Sequence, residues 1–544
     1  MKKLSLLIVL AALVSLLQAQ QKTVPAGNSG KSSSLLKGIL YAPTGTSITL
    51  QNSGKNDLIV SIPKESGKVY DAKNFNFPTP ILDSTKFNVT LKKAAVGQTT
   101  VIYSGGEGIM PQGEKLTLIG SDFTYDHVSR SSDDKTFSTF YETYDPAVGG
   151  VEEEGRYVAF VSASSGFAGT TGKHRQIFWR DRNTGVTKII SVTSNGEEGN
   201  GDSYAPAISG DGLSVAFESY SSNLVPNDGN GVRDIFLWHS ATNSIERVSV
   251  GANDKESNAD SYEASVSGDG NLVAFTSTAS NLSNVDKGVS NNNVFLRDLQ
   301  AKTTTMISVD PKARKGGNGS NASISYDGSR IAFYSHTGTL VANDNNGFWD
   351  IFLWEKDSPK LKRVSLTADH KERNQGEESA NRIVVPTISG DGNFITFSTT
   401  ANNMTAIDTN VFQDVFVYDI ANDTTVIASI SSGGKLGDGD SPIGQGEKVA
   451  ISYDGRWVAF STKATNLGVP AANIVMRNML TGKNKIVSSV AGSNVGRPAI
   501  SQTGSYVVFG IGGQIDGRFP SSGVFANYTG VGPCRFFPKV LTTE

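Results

Sequence analysis

Short apolar runs alternate with Gly- and Asp-rich turns along most of this chain, and the 3.6-residue apolar period of a helix is absent. The clearest run is Ile208-Ser-Gly-Asp-Gly-Leu-Ser-Val-Ala-Phe217, which reads as a strand, an Asp-Gly turn and a second strand. Versions recur from Val266 to Phe275, Ile324 to Phe333, Ile388 to Phe397, Ile451 to Phe460 and Ile500 to Phe509, and a weaker one ends at Phe160. A period of about 60 residues marks one supersecondary unit that cannot bury its apolar face alone and must stack on its neighbours.

Each complete unit carries four strand signals. In the second they are Ala207 to Ser209, Ser214 to Phe217, Ile235 to Trp238 and Arg247 to Val250. Four antiparallel strands repeated radially make a β-propeller blade. The predicted fold class is therefore all-β: a seven-bladed β-propeller over 115–544, preceded by a small β-sandwich. Closure is expected from the N-terminal side. His127-Val-Ser129 reads as a fourth strand, yet it precedes Tyr144-Asp-Pro-Ala-Val148, a first-strand signal, while the last unit has only a weak fourth strand of its own. Residues near 124–130 are expected to complete the last blade as an outer strand and so remove a sheet edge. The Ile-Ser-x-Asp-Gly-x-x-Val-Ala-Phe signature, followed by Asp-Ile-Phe-Leu and Arg-Val-Ser-Val, resembles the TolB-like, or WD40-like (PD40), propeller repeats of exported bacterial proteins over about residues 120–530. The resemblance implies fold rather than function, and no partner of that family is carried over.

Ahead of the repeats the pattern changes. Lys2 and Lys3, the apolar run Leu4 to Leu17 and Ala19 predict a secretory signal peptide over 1–19, with an uncleaved membrane anchor as the alternative. The apolar run is shorter than the ~20 residues a span needs, and no later stretch is apolar enough for a transmembrane span. Residues 20–34, rich in Gln, Ser, Gly and Lys, read as a linker. Short alternating strands with turns at Asn52-Ser-Gly54 and Glu65-Ser-Gly67 then predict a β-sandwich over 35–112. Ile48-Thr-Leu-Gln-Asn-Ser-Gly54, Phe87-Asn-Val-Thr90 and Gly97-Gln-Thr99 resemble a bacterial surface immunoglobulin-like module, with Thr100 where members often carry Cys. Such a module implies spacing or presentation and no chemistry.

The formal net charge of −3 gives no basic face for nucleic acid. Cys534 is the sole cysteine, so no internal disulfide forms and stability must come from packing. That thiol is either buried and free or paired with another chain.

The repeat predicts short first-to-second and third-to-fourth turns on one face and long connections on the other, which makes the long-loop face the binding face. Three of its loops share a constellation: Asp228, Asn230 and Asp234; Asp344, Asn346 and Asp350; Asp408, Asn410 and Asp414. Oxygen donors at alternate positions suit calcium. The plainer alternative is that they accept backbone N–H bonds and pin the loop. Asp286 with Asn293 is a partial copy. The Asp of each Asp-Gly turn is assigned to structure. Tyr144, Tyr204 and Tyr262 each precede a first strand, where their rings can stack on a sugar or peptide at the mouth of a central channel, or simply seal the loop. The five His fall at unrelated positions, and neither His-Glu-x-x-His nor Gly-x-Ser-x-Gly occurs. The expectation is an exported, periplasmic or cell-surface, non-enzymatic binding or scaffold protein whose partner is a protein or glycan. The alternatives are a secreted carbohydrate-active or peptide-cleaving enzyme with acidic residues at the channel, and a calcium-stiffened structural surface component. A cluster of carboxylates with raised pKa at the channel mouth is the mark of the enzyme.

Overall fold

The computed structural model describes residues 33–529 apart from 44–45, 64–69, 80, 83–85, 94–97, 105–106, 110–116, 124, 131, 133–142, 151–153, 166–169, 289–291, 359, 375–384, 444–446, 469–472, 489–493 and 513–522. The signal peptide, most of the linker and Cys534 lie outside the described residues. Among the described residues no helix is long and apolar enough to cross a membrane.

The N-terminal part has two four-stranded sheets. One orders Tyr70–Asn76, Lys37–Pro43, Thr117–Phe123 and Gln98–Ser104; the other orders Lys55–Ser61, Ser47–Asn52, Lys86–Lys93 and Glu107–Ile109. Alternation turns Ile48, Leu50, Phe87 and Val89 inward, where they share one core with Leu40, Val60 and Phe75. Two boundaries move. Thr117–Phe123 pairs in parallel with Lys37–Pro43, so the sandwich extends past 112 and past the expected start of the repeats at 115. A strand whose partner lies so far back cannot be assigned from its own residues. Ser33–Ser34, placed in the linker, pairs with Ile81–Leu82.

The rest is a series of four-stranded antiparallel sheets, each strand paired with the next in sequence. The second sheet is representative: Ser203–Ile208, Ser214–Ser219, Asp234–His239 and Ser244–Arg247. Its second strand is buried at every position, because each sheet is covered on both faces by its neighbours. Phe217 lies directly opposite Phe236, and the rings stack at 5.9 Å. The same cross-strand pair recurs as Phe160–Phe178, Phe275–Phe295, Phe333–Phe352 and Phe397–Phe416, each contributing about 0.5–1.5 kcal/mol beyond its buried area.

The Ser-x-Asp-Gly turns join the first and second strands. Ser209 Oγ donates to Asp211 Oδ1 at 2.5 Å, Leu213 N donates to the same oxygen at 2.9 Å, and Gly212 takes φ +76°. Ser267–Asp269, Ser325–Asp327, Ser389–Asp391 and Ser452–Asp454 repeat the bond. The turns also bond one another: Gly150 N to Gly210 O, Asp211 N to Gly268 O, Gly268 N to Tyr326 O, Tyr326 N to Gly390 O, Asp391 N to Tyr453 O and Tyr453 N to Gln502 O.

The last sheet is ordered differently. Asn494–Ile500, Tyr506–Gly512 and Gly523–Tyr528 supply three strands, and the fourth is Tyr125–His127, with His127 opposite Phe525. Ser129 Oγ accepts from Val524 N at 3.1 Å. The first strand of every sheet touches the first strand of the next, and Asn494–Ile500 also touches Thr143–Gly149.

Candidate functional site at the long-loop end

The antiparallel order puts the connections between second and third strands at one end of the sheets, together with those between fourth and first. They are far longer than the turns at the opposite end; residues 220–233, for example, join Ser214–Ser219 to Asp234–His239. In the first six of these sheets the third strand enters from this end through a polar residue clamped by a serine of the fourth-strand segment; in the last, Gly523 opens the strand. Gln176 Oε1 accepts from Ser191 Oγ, Asn293 Oδ1 from Ser308, Asp350 Oδ1 from Ser365 and Asn473 Oδ1 from Ser488. Asp234 and Asp414 accept from Ser249 and Ser429 in the same way. The serine oxygen in turn accepts the next backbone N–H, as Ile235 N to Ser249 Oγ at 3.1 Å. These bonds satisfy one polar atom of each buried strand-opening side chain.

The two candidate metal loops on the second and fourth sheets are organised around an arginine. Arg247 Nη1 lies 3.0 Å from Asp228 Oδ1 and 3.6 Å from Asp234 Oδ2, and Nη2 donates to Glu256 Oε1 at 2.8 Å. Asn230 Nδ2 donates to Asp234 Oδ2 at 2.7 Å. Arg363 Nη1 likewise reaches Asp344 Oδ1 at 2.7 Å, Asp350 Oδ2 at 3.4 Å and Glu372 Oε1 at 3.3 Å, while Asn346 Nδ2 donates to Asp350 Oδ2 at 2.9 Å. A guanidinium stands among the oxygens expected to hold calcium, so these loops carry their own cation. Burial nevertheless pushes the Asp228 and Asp344 carboxyls up to about 6. The residue at the arginine's place in the fifth sheet is Ile427, opposite Phe416 as Arg247 is opposite Phe236. Asp286, the partial copy, is exposed and pairs with Lys315 at 3.3 Å. Among the described residues no group of three or more His, Cys, Asp or Glu is placed to hold a metal.

Near the same end the first strands bulge. Asp145, Ala205, Glu263, Asn321 and Arg497 all adopt positive φ beside a shift in pairing register, which redirects side chains at a strand end. The candidate tyrosines precede the first three bulges. Tyr204 donates to Asp202 Oδ2 at 2.8 Å, and Arg175 lies over its ring at 5.7 Å. Tyr262 donates to Asn292 Oδ1 at 2.8 Å, and Arg233 lies 4.6 Å from its ring and 5.5 Å from that of Tyr220. Tyr144 is described in its backbone alone, paired with Val161. Burial pushes the Tyr262 hydroxyl up to about 12, and burial with the Asp202 bond raises that of Tyr204.

Carboxylates that spacing alone does not single out lie near this end, with Glu218 and Glu263 beside Tyr262. Glu218 Oε1 accepts from Arg233 at 3.2 Å and Oε2 from Glu263 N at 3.0 Å. Glu263 Oε2 accepts from Thr276 Oγ1 and Asn321 N, both at 3.1 Å. Glu447 Oε2 accepts from Arg497 N at 2.7 Å, and Arg497 is ion-paired to Asp145. Burial holds all three glutamates above the usual carboxylate range. This is the mark set for an acidic catalytic cluster, but backbone amides, hydroxyls or an arginine already engage these carboxylates. Sequence spacing did not reveal the group because its members come from different sheets.

No family model matches this chain, and no curated protein matches it. Solved structures are similar to parts of it. TolB from Acinetobacter baumannii is 15% identical over 70% of this chain and 62% of that one, with a TM-score of 0.32; the match spans less than two thirds of that protein. The β-propeller domain of the Trilobed protease from Pyrococcus furiosus is 15% identical over 74% of this chain and 98% of that one, at 0.43. Oligogalacturonate lyase from Vibrio parahaemolyticus is 8% identical over 82% and 98%, at 0.44. The propeller reading rests on this chain's own series of four-stranded antiparallel sheets, with which it is consistent.

Proposed function

We propose that this chain is an exported binding or scaffold protein, a seven-bladed propeller that presents its long-loop face to a protein or glycan partner. The pairing of Tyr125–His127 with Gly523–Tyr528 supports closure, as do the turn-to-turn bonds running from Gly150 to Gln502. The bond from Thr503 N to Glu154 Oε1, at 3.2 Å, supports the same reading. Export rests on the leader read at 1–19.

The observation that carries the binding reading is the polar and aromatic rim. Arg175 with Tyr204, and Arg233 between Tyr220 and Tyr262, form flat cationic and aromatic surfaces at the loop end. On the fifth sheet's loop Ile407, Val411 and Phe412 are 52%, 76% and 37% exposed, apolar area of the kind that marks a partner surface. Glycan and peptide arrays probed with the mature protein test the proposal. Binding lost on Tyr204→Ala, Tyr262→Ala or Val411→Asp supports it. A ligand whose binding ignores all three sinks it.

The raised glutamates favour a second reading, an acidic hydrolase or lyase at the channel mouth. Turnover of an arrayed oligosaccharide or peptide that disappears in Glu263→Gln, with binding retained, would select it.

A further inference from the structure

Across six sheets, the residue opening the third strand and the fourth-strand residue two places out of register with it obey a charge rule, with one exception. A neutral amide goes with an apolar residue: Gln176 with Ile189, Asn293 with Met306, Asn473 with Ile486. An aspartate goes with arginine: Asp234 with Arg247, Asp350 with Arg363. The fifth sheet pairs Asp414 with Ile427, and its loop keeps the second carboxylate, Asp408, that elsewhere accompanies the arginine.

The consequence is visible in the polar atoms. Asp408 is 2% exposed and Asp414 is 0% exposed. Asp414 Oδ1 accepts from Ser429, but Asp414 Oδ2 and Asp408 Oδ2 are buried without a hydrogen-bond partner, and so is Thr405 Oγ1 on the same loop. Asn410 Nδ2 donates to Gly437 O at 3.3 Å, as Asn230 does to Ser257 O, and its amide also lies near Asp414, whose Oδ2 it leaves without a well-formed bond. Nearby Asp440 adds negative charge, although Lys463 pairs with it at 3.2 Å. In the sibling loops one guanidinium nitrogen reaches both carboxylates, at 3.0 and 3.6 Å or at 2.7 and 3.4 Å. The two positions therefore lie within reach of a single cationic centre. Two buried carboxylates with no cation between them repel each other and lack solvation.

We infer that the fifth sheet's long loop is a calcium site, built on Asp408 and Asp414, in which a metal ion takes the place of the arginine used by its siblings. Two carboxylates balance a divalent charge. A hydroxyl, an amide carbonyl and backbone carbonyls are hard donors that suit the loose, high coordination number of calcium better than the strict octahedron of magnesium. The ion would brace the loop that displays Ile407, Val411 and Phe412.

The test uses the mature chain stripped with chelator and titrated calorimetrically with calcium chloride at pH 7. One ion should bind per chain, and the thermal midpoint should rise as calcium exceeds its Kd. Ile427→Arg, which installs the sibling arginine, should weaken binding by at least 100-fold and leave a folded protein whose midpoint ignores calcium. Asp408→Asn with Asp414→Asn should do the same, and it decides the matter if the arginine variant does not fold. Absence of binding at millimolar calcium, which would mean a shared proton or a water in the loop, overturns the inference. So does a stoichiometry of three, unchanged affinity in either folded variant, or magnesium binding as tightly as calcium.

Discussion

Arg247→Ile turns the second sheet's loop into a copy of the fifth; the fourth is a poorer case, because Arg373 Nε stays 3.3 Å from Asp350 Oδ1 there. The substitution removes the cation between Asp228 and Asp234, whose side chains are 4% and 1% exposed, and also frees Glu256 at the rim. Breaking a buried pair by deleting one partner costs about 3–5 kcal/mol. Isoleucine returns part of that by burying apolar surface, as Ile427 does at the matching position, so the net loss should be about 2–4 kcal/mol. For a chain this large, roughly 2 °C per kcal/mol gives a midpoint about 4–8 °C lower. The variant carrying Asp228→Asn and Asp234→Asn as well adopts the neutral pattern of Asn473 with Ile486 and should recover at least half of the loss. Calorimetric scans of the three proteins in chelator provide the comparison. The reasoning fails if the single variant loses less than about 1 kcal/mol, or if neutralising the aspartates recovers nothing. Adding calcium to Arg247→Ile gives a further check, because the loop should then gain the dependence assigned to the fifth sheet's loop.

Other expectations follow from the same geometry. Asp391→Ala removes acceptors for Ser389 Oγ and Asn393 N and should cost about 1–2 kcal/mol by urea unfolding, whereas Asp391→Asn should cost less. Gly212→Ala places a methyl at φ +76° against the Tyr157 ring, 2.2 Å away, and should destabilise by more than about 2 kcal/mol, measured in the same way. Removing residues through 130 strips the outer strand from Gly523–Tyr528 and should expose that edge, read as a lower midpoint and concentration-dependent association by light scattering. Glu263 holds its proton above the ordinary value of 4.5, because burial penalises its charge. The folded state therefore binds more protons than the unfolded one above that pH, and this group's contribution to stability falls as pH rises through the raised folded value. Glu263→Gln should flatten that slope above pH 4.5 in thermal scans; an unchanged slope rules out the assignment.

The repeat was legible because its determinants are local. Alternation, the Asp-Gly turn and the paired Phe of neighbouring strands all lie within one unit, so Ile208 to Phe217 announces its own hairpin. The strand near His127 was also readable, since a fourth-strand signal stood without a sheet of its own. Thr117–Phe123 was not, because its partner Lys37–Pro43 belongs to a different stretch of chain. At the loop end, the Asp and Asn spacing marked three equivalent loops, and Asp228, Asp344 and Asp408 do occupy equivalent places. Their difference lay in one fourth-strand residue, Arg247, Arg363 or Ile427, set beside the loop by pairing register. Chain sequence specified strands and turns through short-range periodicity and glycine stereochemistry. The state of each buried charge was decided only in three dimensions, because low dielectric surroundings and the nearest counter-charge come from segments that folding brings together.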